Sequence, residues 1–75
     1  MTHLEVVYRY QTPLREATMR ALDTVREVYG VRQITFNETE RIVRVEFDAS
    51  RFKEPVMAKL LRSAGLDLGE QLILA

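Results

Sequence analysis

Seventy-five residues make one domain, residues 1–75, and a chain this short buries only about 60% of its unfolded surface. Eleven basic side chains balance eleven acidic ones, dispersed along the chain, and cysteine is absent. That excludes disulfides, thiolate nucleophiles and thiolate metal ligands, and it lacks the basic excess expected of a binder of nucleic acid or membrane surfaces. No N-terminal run resembles a signal peptide and no segment approaches the roughly 20 apolar residues of a membrane span. A soluble cytoplasmic protein is therefore expected.

His3–Tyr10 alternates Leu4, Val6 and Tyr8 with Glu5, Val7 and Arg9 and is rich in β-branched and aromatic residues, the pattern of a first strand with one buried face. Thr12 can accept backbone N–H bonds as a helix N-cap and Pro13 suits the first helical position. From there Leu14, Ala17, Thr18, Ala21, Leu22, Val25, Val28 and Tyr29 recur at helical spacing, which predicts a helix of about four turns ending at Gly30.

Gly30–Asp48 reads as a hairpin. Ile34 and Phe36 alternate with Gln33 and Thr35, and Val43, Val45 and Phe47 alternate with Arg44, Glu46 and Asp48. Asn37, Glu38, Thr39 and Glu40 between them predict a loop of about four residues. Val31 and Ile42 fall out of phase, as residues at strand starts, against a helix end, or exposed would. Pro55–Ala64, with Val56, Met57, Leu60, Leu61 and Ala64 as its apolar stripe, reads as a second helix stopped by Gly65. Glu70–Ala75 reads as a last strand of unclear phase, because Leu72, Ile73 and Leu74 are consecutive.

The order strand, helix, strand, strand, helix, strand with right-handed crossovers gives an α+β fold: a ferredoxin-like βαββαβ sandwich whose four-stranded antiparallel sheet carries both helices on one face. The first and third strands are then central. Their outward faces would carry Glu5, Val7, Arg9, Arg44 and Glu46, a solvated surface without the exposed aromatics of RNA-binding versions of the fold. Tyr8 is expected to point to the helices and Tyr10 to the rim.

The helix ending in Gly30-Val31, the turn at Asn37, the Val43–Asp48 strand and the second helix closing on Ala64-Gly65 resemble the heavy-metal-associated domain of copper chaperones and metal-transporting ATPases. The resemblance spans nearly the whole chain. It implies soft-metal binding through a CxxC motif in the loop after the first strand. Here that loop is Tyr10-Gln11-Thr12-Pro13-Leu14, and the cysteine positions fall on Leu14 and Ala17 or on Gln11 and Leu14, so no metal site or cofactor is carried over. The order of elements is also similar to the ACT domain, a regulatory module that binds amino acids or dimerises, with Thr12-Pro13 and Gly30-Val31 at matching places. The glycine usual after that proline is replaced by Leu14.

Other candidates have bland readings. His3 could complete an N-terminal Cu(II) or Ni(II) site, against an exposed residue at a strand start. Met57 is expected in the core and Met19 near the surface. The pairs Glu46/Asp48 and Glu38/Glu40 sit on a strand face and a turn tip rather than in a cleft, and Ser50 and Ser63 have no histidine in reach, so no catalytic residue is expected. The expectation is a non-enzymatic domain, monomeric or weakly homodimeric. Its metal site is lost, and a protein partner docks at the loop of Tyr10, Gln11, Thr12, Pro13, Leu14 and Arg15. An ACT-like regulatory module is the alternative, and metal binding through ligands other than cysteine ranks third.

Overall fold

A computed structural model describes residues 3–74, which form β1 (His3–Tyr10), α1 (Glu16–Arg26), β2 (Val31–Asn37), β3 (Ile42–Asp48), α2 (Glu54–Ser63) and β4 (Leu68–Leu74). The strands make one sheet in the order β2-β3-β1-β4 with every neighbouring pair antiparallel. Helix α1 carries the chain from β1 to β2 past β3, and α2 carries it from β3 to β4 past β1. This is the ferredoxin-like arrangement expected. No helix among the described residues is long and apolar enough to cross a membrane.

The core follows from the strand period. Val6, Tyr8 and Tyr10 of β1 meet Val43, Val45 and Phe47 of β3 and Ile34 of β2, and against this face lie Leu22 and Val25 of α1 with Met57, Ala58 and Leu61 of α2. Met57 is in the core and Met19 is exposed, as expected. Phe47 stacks on Phe52 with ring centroids 5.4 Å apart and planes 5° from parallel.

Both helices depart from their expected bounds. Thr12 does not cap α1 and Pro13 does not open it: the N-cap is Arg15, with extended φ and ψ of −108° and 160° and no side-chain cap bond. The reason lies in Leu14. It is half-buried against the core, and the chain stays non-helical from Gln11 to Arg15, with a bend at Thr12, before the helix begins. The helix closes at Arg26, and the following turn through Val28 reaches Gly30, whose φ of 108° supplies the positive backbone angle anticipated there. Tyr29 lies beyond the helix and 73% exposed, so it is not part of the apolar stripe. Helix α2 begins one residue early, with Pro55 in its first turn, and caps at Ala64.

Two register shifts resolve the phase conflicts. Val31 pairs with Phe47 whereas Gln33 pairs with Glu46, so Arg32 is an extra residue that lets Val31 and Ile34 both face the helices. Ile42 opens β3 on the opposite face. In β4, Val7 faces Ile73 while Tyr8 faces Gln71, which makes Leu72 the residue left over and puts Ile73 on the open face. The strand starts at Leu68, two residues before expectation, and Ala75 lies outside the described residues. The hairpin loop is Glu38–Arg41, four residues as expected but shifted by one. Asn37 Oδ1 accepts the Glu40 N–H at 3.2 Å, and Arg41 takes φ of 56°.

One polar contact ties the sheet to α2. The buried Tyr8 hydroxyl donates to the Glu54 carboxylate in the first helical turn. Burial pushes the Tyr8 phenol well above the ordinary tyrosine value near 10, and the bond to Glu54 adds to the shift. A folded-state value above the unfolded one contributes stability that is fully present below pH about 10 and lost as pH rises beyond it. Tyr8→Phe is expected to cost about 1–2 kcal/mol at neutral pH. It should also flatten the loss of thermal stability above pH 10, read from melting curves across pH 7–12. Parallel alkaline slopes for the two proteins would contradict this.

Candidate functional site

The loop between β1 and α1 is built from both sides. Register first brings the hairpin to it: β1 and β3 pair from His3↔Asp48 to Arg9↔Ile42, and one step further the Tyr10 N–H donates to the Arg41 carbonyl at 2.9 Å. The Arg41 guanidinium then reaches over and donates from Nη1 to the Gln11 carbonyl at 2.7 Å. From the β4 side, the Gln11 N–H donates to the Asp67 carbonyl at 3.0 Å. Both backbone groups of Gln11 are thus held, and the loop leaves the sheet on a fixed path.

That path divides the six expected loop residues. Gln11, Thr12, Pro13 and Arg15 are exposed, whereas Leu14 is half-buried and Tyr10 is buried. The expectation of Tyr10 on the exposed rim is corrected: its ring meets Phe36 edge-on, centroids 6.0 Å apart at 82°. Burial raises the Tyr10 phenol above its ordinary value, with Glu38 adding to the shift and Arg41 opposing it. Thr12, Pro13 and Arg15 line a shallow depression of about 400 Å³, with Thr18 of α1 and Ala64-Gly65 at the end of α2 on its other side. The close approach there requires glycine, because a Cβ on Gly65 would stand 3.0 Å from Thr18 Oγ1 at a φ of 105°.

The donor set of this loop does not suit a soft metal ion. Leu14 and Ala17 offer no lone pair, Gln11 offers an amide, and neither thiolate nor imidazole is near. Among the described residues no three His, Cys, Asp or Glu side chains converge as a cation site needs. His3 is exposed at the start of β1, and the N-terminal copper or nickel site that would include it involves Met1 and Thr2, which lie outside the described residues.

The carboxylate pairs are not brought together either. Glu38 and Glu40 are exposed on the hairpin tip, and Glu46 lies on the open face of the sheet opposite Glu5. Asp48, expected on that solvated face, is instead 4% exposed, and its Oδ1 accepts from Ser50 N at 3.0 Å and Ser50 Oγ at 2.6 Å. His3 pairs with Asp48 across the β1–β3 ladder, in the last pair before Ser50. The order is wrong for a nucleophile. Ser50 Oγ donates directly to the carboxylate, whereas activation needs an imidazole between the two.

Sequence reasoning missed Arg41, whose side chain does most to shape the loop. The register would have found it, since residues paired across β1 and β3 number 51 in sum and Tyr10 therefore meets Arg41. Compared with models of known protein families, with curated proteins and with solved structures, the chain matches none.

Proposed function

We propose that this chain is a non-enzymatic protein-interaction domain, built on the plan of the heavy-metal-associated domain but without its soft-metal donors, and that a protein partner docks at residues 11–15. The observation that carries the reading is the double anchorage of Gln11, by Arg41 at 2.7 Å and by Asp67 at 3.0 Å. An anchored loop presents Thr12, Pro13 and Arg15 with little conformational entropy left to lose on docking. Arginine is frequent at interface centres and the neighbouring depression could receive a small apolar side chain.

An amide NMR titration of untagged protein tests this reading. Cu(I), Zn(II) and a panel of amino acids are expected to leave the resonances of residues 10–17 in place, and a photo-crosslinking residue at Pro13 is expected to capture a protein that one at the opposite-edge residue Arg32 does not. Shifts confined to residues 10–17 on adding Cu(I) would restore the metal-binding reading. A response of the same loop to an amino acid, accompanied by dimer formation, would favour the ACT-like regulatory module.

A further inference from the structure

The sheet face turned away from the helices has its own apolar centre. Val7 is only 3% exposed yet stands outside the helix-side core. Its cross-strand neighbours are Arg44 on β3 and Ile73 on β4, and Ile73 is 45% exposed. Ile42, one pair further along, is half-buried on the same face. Charges flank this centre unequally. Toward one end Glu5 and Glu46 lie directly opposite each other, a like-charge pair that costs stability in the isolated sheet. Arg44 relieves it only partly, from 3.7 Å to Glu5. Toward the other end stands Arg9, exposed, its side chain without a hydrogen bond or ion pair to any described residue.

From this pattern we infer that the open face is a self-complementary docking surface for a second copy of the chain. The pairing is isologous, with the two-fold axis lying in the interface and running across the strands near Val7. That operation reverses the strand direction between copies. It sets the exposed Ile73 of the two copies against each other beside the already covered Val7, brings Arg44 of each copy into the same row, and lays the Glu5–Glu46 end of each over Arg9 of the other, so both acidic ends and both Arg9 side chains gain partners. A two-fold axis parallel to the strands would instead stack acid on acid. Zero net charge leaves no long-range repulsion between copies. The area sets the strength: four strands of about seven residues span roughly 20 Å by 20 Å, less than the about 800 Å² per partner of a tight complex. The dimer is accordingly weak and forms as concentration rises. It uses the face opposite the helices and is independent of the loop reading.

Sedimentation equilibrium on the full chain from micromolar to millimolar concentration tests the inference. The expected result is a monomer–dimer equilibrium that Ile73→Lys and Arg9→Glu each weaken at least about tenfold. Adding Glu46→Arg to Arg9→Glu is expected to recover part of that loss, a gain that mere damage to the fold cannot produce. Arg9, Glu46 and Ile73 lie away from the helix-side core, so melting curves of the charge variants should fall no lower than the wild type. Should Ile73→Lys unfold, the two charge variants alone decide. A monomer throughout the range, a dimer indifferent to both substitutions, or a double variant weaker than Arg9→Glu would each overturn the proposal.

Discussion

Replacing Phe47 by Ala is expected to destabilise the domain by about 3–5 kcal/mol, the cost of a cavity where a wholly buried ring stood. Phe47 is 0% exposed, lies in a central strand and stacks on Phe52, so the space has little freedom to collapse. At about 0.05–0.15 kcal/mol per residue, a domain of this size has roughly 4–11 kcal/mol to lose. Urea denaturation should register a large fall in midpoint at unchanged slope. Phe36→Ala should cost roughly half as much, because Phe36 is only half-buried and packs on Tyr10 by its edge. A wild-type midpoint for Phe47→Ala would reject the strand phase on which the core depends.

Gly30→Ala is expected to cost about 2–4 kcal/mol, through two effects that act together. A φ of 108° is unfavourable for any L side chain, and the new Cβ would stand 3.0 Å from both Arg51 Cβ and Phe52 Cε2. Phe52 cannot retreat freely, because its ring lies flat on Phe47. The strain would therefore reach the core. Gly69 supplies the control: its φ is not in the positive range, and the nearest atom to an added Cβ is the Arg9 carbonyl oxygen at 3.4 Å. Gly69→Ala should stay within about 1 kcal/mol of wild type. Equal melting temperatures for the two variants would show that the turn tolerates a side chain.

The strands were legible because a half-buried sheet writes its two faces directly into alternating residues. Leu4, Val6 and Tyr8, and likewise Val43, Val45 and Phe47, needed only a period of two to be placed. The same parity assigns Tyr10 to the buried face, and its position at the strand end was a poor reason to put it at the rim. The start of α1 was not legible, since Thr12-Pro13 suits an extended loop as well as a helix opening. What decided it was the tertiary demand of Leu14 for the core. The bulge at Arg32 was hidden for a similar reason. An extra residue restores a face by local geometry, and sequence periodicity records only that Val31 is out of step. Of the interaction loop, sequence indicated the place, while its anchorage depended on a partner 30 residues away that only strand order brings close.

Arg41 holds a backbone angle, φ of 56°, that glycine or asparagine would adopt more readily, at a penalty of about 1–2 kcal/mol for an ordinary side chain. Its guanidinium bond to the Gln11 carbonyl offsets part of that penalty, so the tip of the hairpin and the loop after the first strand are mechanically one body. An event at either place is therefore felt at the other. A ligand that lifts residues 11–15 would release Arg41 to relax its turn, and a change of the tip, such as loss of the Asn37 side-chain bond to Glu40, would loosen a docking surface it never touches.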